Sequence, residues 1–591
     1  MFPRKLLPIL CLLCGPAATA AGGFWRAVAW AGPVCMSVAC SRGSDTHLGR
    51  VPGPTDATTP DASAPASAIP RPTVGPDDAG STDAESTPVA PDWANSPAFE
   101  SQEPVDLIIR GGKVIDGTGA RVVAADVVVD AGRIVHLGRV TPEVRATRQI
   151  DARGLVVTPG FIDMHSHAVA TGPNRNLLAM GVTTVVVGQD GRSPTAGPIA
   201  HWFARLRQTR LSVNVVALAG HATLRGLAGV YASPPSDKAL ERLARLISRE
   251  LQAGAFGLST ALEYQPGAQA GRQELLAAAR AVAEDDGVIM SHLRSEDDEL
   301  IDAALDELIS QGEQGARVHV AHIKVVYGKG TARADALLAK MQAARDDGIE
   351  LTADEYPYDA SYTTTSILFP SFAKPPASFQ QARSRRRKEL REFLRNKIRR
   401  RGGPQSMLLG TGPYAGQTLA QIASAKSKPF EDVLIDDIGP DGASAAYFVM
   451  DDALQSRLLV DPWVMIGTDG GEYSNHPRGH GSFARVFAEY VRKRKALTLI
   501  EAVRKMSGLS ARTLRLHARG TLRPGSAADI LVFDPAQVQD HATYAEPHRQ
   551  STGMQWVVVN GRIAVEEGRF TGTRAGRLLL SKRKSGSSEA R

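Results

Sequence analysis

Residues 160–167 read GFIDMHSH, a short apolar run ending in two histidines one residue apart. Along a strand, residues i and i+2 face the same side, so His165 and His167 point together at the strand's end and can clasp one divalent ion. Such a pair alone arises on many surfaces by chance. Two further apolar runs close in the same style, however: VIMSHLR (288–294) at His292 and VHVAHIK (318–324) at His322, while VMIGTDGG (464–471) closes on Asp469. Strands that each deliver a ligand-type side chain where they end call for an architecture that gathers strand ends on one rim.

The chain between these runs supplies it. From about 161 to 514, apolar segments such as VTTVVVG, VNVVALAG and FGLST alternate with amphipathic helical patterns such as ALERLARLISRELQAG and ADALLAKMQAARDDG. Repeated strand and helix imply a parallel sheet, and this many units imply an α/β fold closed as a (β/α)8 TIM-like barrel, whose chemistry sits just beyond the strand C-termini. Between Tyr358 and VMIGTD lie over a hundred residues, so a lid-like insertion is expected at about 362–460. Glycine-punctuated β-branched runs flank the barrel on both sides, at 104–160 and 515–575, and predict one small β-sandwich domain built from both ends.

The remaining chain reads differently. Residues 1–40 show Arg4-Lys5, the apolar run LLPILCLLC and small residues PAATAA, the layout of a secretory signal. Ser37-Val38-Ala39-Cys40 resembles a lipoprotein cleavage site, though without the usual leucine three residues before the cysteine. The expectation is an exported protein, periplasmic or membrane-anchored, touching the membrane only through an N-terminal lipid. Residues 41–103, rich in Pro, Ala, Ser and Thr, are expected to be a disordered linker, and 576–591 a disordered basic tail. All four cysteines fall in the first 40 residues, which excludes thiol chemistry downstream. The net charge of +7 owes much to residues 383–401, RSRRRKELREFLRNKIRRR, whose apolar positions recur at helical spacing. That pattern fits an amphipathic surface helix rather than a nucleic-acid patch, and no nucleic-acid partner is expected.

GGKVIDGTG, GFIDMHSH, the strand-end histidines, GTDG and GTLRPGSAADILVFDP resemble the amidohydrolase superfamily over about 105–570. Within it GVTTVVVGQDG, LAGHATLR, GLSTALEYQPG, SHLRSE, AHIK, DEYPY and HPRGHGSFARV are similar to the N-acyl-D-amino-acid deacylases, or D-aminoacylases. The resemblance implies zinc-activated water attacking an amide carbonyl, with Asp469 moving protons, and an N-acylated amino acid or short peptide as the small-molecule partner. It also exposes a departure: a cysteine of the family's loop after GVTTVVVG, a tight-zinc ligand, is here Asp190. The expected arrangement is one tightly held Zn2+ on Asp190, His292 and His322, with a weaker second ion at His165 and His167.

Other residues take roles from position. A carboxylate beside a metal can take a proton from water and deliver it to the departing amine, which suits Asp469. His221, ending VNVVALAGH, is a candidate donor to the developing oxyanion. By the i, i+2 rule Arg294 shares a face with His292, and Lys324 with His322, so an anionic substrate is expected; the alternative for each is a structural ion pair with Glu296, Asp297 or Glu355. Tyr264 and Arg478 are further candidates for substrate contact. The competing activities are hydrolysis of dipeptides with a D-residue, a cyclic amidase of the dihydroorotase or hydantoinase type, and a catalytically idle binding protein.

Overall fold

The computed structural model describes residues 89–231 and 233–581. The signal expected at 1–40, most of the linker and the last ten residues lie outside them. Eight parallel strands form the barrel: Phe161–Asp163, Val182–Val187, Asn214–Ala217 continued by Ala219–Gly220, Gly257–Ala261, Val288–His292, Arg317–Val320, Leu351–Glu355 and Val464–Ile466. The third strand pairs with the second through its first half and with the fourth through its second half. Closure comes at the opposite seam, where Ser166 bridges Gly470 and the Asp469 amide donates to His165 O at 2.8 Å.

Why these segments are strands follows from their burial. Every residue of Val182–Val187 is buried. Val186 joins Ile162, Met164, Val216 and Met290 in the barrel interior, while Val185 and Val187 face the outer layer. Burial on both faces is what a parallel strand under helices requires. The helices answer with one apolar stripe each: in helix Asp237–Gln252, Leu240 is buried and Leu243, Ile247 and Leu251 point into the core.

The β domain is a single nine-stranded sheet. Its N- and C-terminal halves join where Val156–Pro159 runs antiparallel to Ile530–Phe533. Along that seam Ile530 and Val532 enter the domain's own core, whereas Leu531 and Phe533 enter the barrel's outer core. The period of two thus glues the sheet to the barrel, whose surface covers the face that a second layer would otherwise cover.

Three boundaries differ from expectation. The linker ends earlier than 103: Trp93 is buried in the sheet domain's core and the Phe99 amide donates to Arg139 O, because two aromatics supply the apolar surface that the preceding segment lacks. The tail begins later than 576: residues 576–581 bond along the third barrel strand, with Val215 N donating to Arg577 O and Leu579 N to Val215 O, and Leu578–Leu580 pack against the barrel. The insertion ends near 450 rather than 460, since Leu454 and Leu458 of helix Asp452–Val460 belong to the barrel core.

The insertion has a core of its own and a three-stranded antiparallel sheet, Ser361–Thr364, Met407–Leu409 and Ser444–Tyr447. The basic segment is helix Arg387–Arg400, with Leu390, Leu394 and Ile398 buried. Its charges meet the insertion's own acids, Arg387 lying 2.7 Å from Asp436 and Arg391 2.9 Å from Asp432. At its far end Arg400 pairs with Glu299 at 2.9 Å, on the loop beyond the fifth barrel strand.

Candidate metal centre

The six side chains expected to build the site converge. His165 and His167 follow the first strand, Asp190 the second and His322 the sixth; His292 ends the fifth, and Asp469 follows the eighth. Three of them sit in the left-handed backbone region, with φ of +53° at Asp190, +37° at His322 and +44° at Asp469. Such conformations are uncommon outside glycine and gather where a chain must turn sharply to aim a side chain. Space is equally tight: a Cβ on Gly467 would meet Asp354 Oδ1 at 2.7 Å and His165 Cβ at 3.1 Å, so the GTD segment needs its glycine.

Two groups of ligand atoms result, His165, His167, Asp190 and Asp469, and Asp190, His292 and His322. Asp190 belongs to both. Its Oδ2 lies 3.2 Å from His167 Nε2, and its Oδ1 lies 3.6 Å from His165 Nε2 and 3.8 Å from His322 Nε2. Its carboxylate thus stands between the two groups, Oδ2 facing His167 and Oδ1 lying between His165 and His322. Both nitrogens of fully buried His165 and Oδ1 of Asp190 lack any hydrogen-bond partner. Leaving such atoms unsatisfied costs roughly 1–3 kcal/mol each, and a divalent cation between them relieves that cost. The donor set, imidazole nitrogens and carboxylate oxygens without a thiolate, therefore fits a metal centre of one or two ions.

The electrostatics agree. Burial works against ionisation of Asp190 and Asp469, but the surrounding histidines, and for Asp469 above all the Arg478 guanidinium, hold both well below the usual carboxylate range. Partial burial disfavours charge on His167, yet its hydrogen bonds to Asp190 and Asp469 push it up to about 10. The His167 side chain, 43% exposed, marks the open mouth of the site.

The sequence profile of the amidohydrolase family matches residues 148–351 and 409–565. This chain belongs to that family. An N-acyl-D-glutamate deacylase of Alcaligenes xylosoxydans xylosoxydans is 35% identical over 489 residues, 78% of this chain and 93% of that protein. The crystal structure of an N-acyl-D-glutamate deacylase from Bordetella bronchiseptica, complexed with zinc and a phosphonate mimic of the tetrahedral intermediate, is similar with a TM-score of 0.70 and 33% identity, over 81% of this chain and all of that one. A D-aminoacylase structure described for its binuclear metal centre is similar at 0.69 and 31%, with the same coverage. This amidohydrolase is accordingly a metal-dependent hydrolase of carbon–nitrogen bonds other than peptide bonds.

Not every candidate reaches the reacting region. Arg294 is corrected from substrate ligand to structural pin: Nε donates to Glu307 Oε2 at 2.8 Å, and Nη2 to Glu307 Oε1 at 3.0 Å and Ala270 O at 2.7 Å. Nη1 donates to Ala268 O at 3.1 Å. The strand ends at His292, so the i, i+2 rule no longer governs Arg294. His221 is likewise corrected. It opens a helix, fully buried, with Nε2 3.0 Å from Glu274, which also binds Arg225. Lys324 makes the ion pair that was its alternative reading, donating to Glu296 Oε1 at 2.6 Å, while it stays at the centre 2.8 Å from His322 Nδ1. Arg478 pairs with Asp469 Oδ2 at 2.7 Å, and its guanidinium lies 4.6 Å from the Tyr356 ring centroid. Tyr264 packs 4.9 Å from His292 and hydrogen-bonds Thr363 of the insertion at 3.0 Å.

Sequence reasoning missed Glu263 and Asp354 behind the histidines, and named Glu296 only as an ion-pair partner. Glu263 Oε2 lies 3.1 Å from His292 Nε2, and Glu296 Oε1 3.1 Å from His322 Nδ1. Asp354 accepts from the His322 amide at 3.1 Å and pairs with His319 Nε2 at 2.7 Å. Glu263 carries the signal that exposed the ligands, an acid two residues past a barrel strand.

Proposed function

We propose that this amidohydrolase is a zinc-dependent deacylase of N-acyl-D-amino acids, releasing a carboxylate and the free D-amino acid. The observation that carries the reading is Asp469 held ionised within the first ligand group, with Arg478 locked to its far oxygen. Zinc held by the histidines and Asp190 would supply Lewis acidity, enough to polarise an amide carbonyl and to acidify a water. Asp469 takes the proton from that water and returns it to the amide nitrogen as the carbon–nitrogen bond breaks, so that water and amide become acid and amine. Arg478 and Lys324 lie against the Tyr356 ring, each already paired with an acid, Asp469 and Glu296, so an N-acyl amino acid that carries a carboxylate beside the scissile amide would share these cations with those acids. The relatives named above act on such molecules, which supports the same class here.

The test is release of amine from a panel of N-acetyl D- and L-amino acids, a D-residue dipeptide and dihydroorotate, with zinc added and with chelator. Chelator-sensitive turnover of the N-acyl-D-amino acids alone is expected. Turnover of only the dipeptide or the cyclic amide overturns the substrate class, and no turnover with metal bound points to an idle binding protein.

The layout of residues 1–40 supports export, with a lipid on Cys40 as the anchored form. Lipid labelling that is lost in Cys40→Ser is the expected result; an unlabelled protein found with the soluble fraction removes the anchor.

A further inference from the structure

Three sets of ligand-type atoms cluster at the rim, and the third, Glu263, His292 and Glu296, shares His292 with the metal centre. It is not a further ion site. His292 already turns Nδ1 toward His322 Nε2, at 2.9 Å, and a second ion would require both of its nitrogens to be deprotonated. Glu296, moreover, is engaged by Lys324. What remains is a carboxylate facing the outer nitrogen of a ligand.

We propose that Glu263 is the positioning residue for His292: it accepts the Nε2 proton and so leaves the Nδ1 lone pair to the ion shared with Asp190 and His322. A neutral imidazole carries one N–H, and an acceptor on one side decides which nitrogen is free. Glu263 is anchored for the task. Its neighbour Tyr264 packs its ring over His292 at 54° and ties its hydroxyl to Thr363, so the strand Ser361–Thr364 of the insertion braces the loop that presents both residues. The fourth barrel strand thus contributes no ligand, yet sets the orientation of one. The inference rests on the metal-dependent reading, not on the identity of the acyl substrate.

The experiment uses the full chain and zinc alone, without substrate. In competition with a chromophoric chelator, Glu263→Met is expected to bind zinc about 10- to 100-fold more weakly. Glu263→Gln, whose amide oxygen still accepts the proton, is expected to stay within about threefold of the parent, by the same outer-partner logic. Wild-type affinity in Glu263→Met, or equal loss in both variants, overturns the proposal. Should Glu263→Met fail to fold, the ring-nitrogen NMR shifts of His292 in the zinc-loaded parent decide alone: a proton on Nε2 supports the assignment, and a proton on Nδ1 ends it. A failed substrate panel leaves each of these readouts untouched.

Discussion

Asp469 and Arg478 form a 2.7 Å ion pair in which both side chains are under 10% exposed. The aspartate therefore has one oxygen committed to a cation and the other, Oδ1, turned to His167 at 3.1 Å and His165 at 3.6 Å. This division of labour fixes the carboxylate's orientation without using the oxygen that faces the chemistry.

It follows that Asp469→Asn should lower kcat by at least about 100-fold, the usual scale for removing a positioned general acid–base. Metal held by Asp190, His292 and His322 should stay bound. Turnover and metal content measured on the same preparation check this, and a variant that loses its metal would make Asp469 a ligand rather than a proton carrier.

Asp190 belongs to both ligand groups, so Asp190→Ala should lose its metal on dialysis against chelator. Asp190→Cys restores a ligand, and should regain metal with a preference shifted toward soft ions such as cadmium. The cysteine must adopt the φ of +53° that aspartate tolerates better, which predicts recovery that is partial. Metal stoichiometry after dialysis, zinc against cadmium, distinguishes the outcomes.

How far the sequence could be read follows from what each residue's direction depends on. His165, His292 and Asp469 were legible because strand ends point at the rim by topology alone. Arg294 and His221 stand at the same rim but were not legible, because acids on neighbouring helices turn them away: Glu307 from helix Ile301–Gly312 captures one, and Glu274 from helix Arg272–Glu284 the other. The linker's end depended on two aromatics, Trp93 and Phe99, whose effect appears only once the sheet gives them a groove. The outer carboxylates were hidden for a similar reason, since Glu263 gains its meaning only from a histidine on the next strand.

The same contrast yields a prediction for Arg294. With four of its five N–H donors satisfied by Glu307, Ala268 and Ala270, Arg294→Met should cost about 1–3 kcal/mol of stability while KM stays near the parent value. A thermal melt and a KM measurement on one sample separate the two effects. A raised KM with an unchanged melting temperature would return Arg294 to the substrate.

Lys505 offers a test beneath the site. It is fully buried on helix Leu499–Met506 and donates to Asp461 O, and burial drives its pKa down to about 7. In the unfolded chain the ammonium titrates near 10.4. Between those values the unfolded state binds a proton that the folded state lacks, so this group's contribution to stability rises with pH, by up to about 1.4 kcal/mol per unit. Below pH 7 both states are protonated, and the full penalty of a buried charge applies with no further slope. Lys505→Met removes the penalty and the slope together. The expected result is a variant that gains on the parent most at pH 6–7 and converges with it toward pH 10, read as the difference between the two melting curves at each pH. A difference that stays constant across that range would mean that Lys505 keeps its charge in the folded protein, through Glu355 or another buried acid nearby.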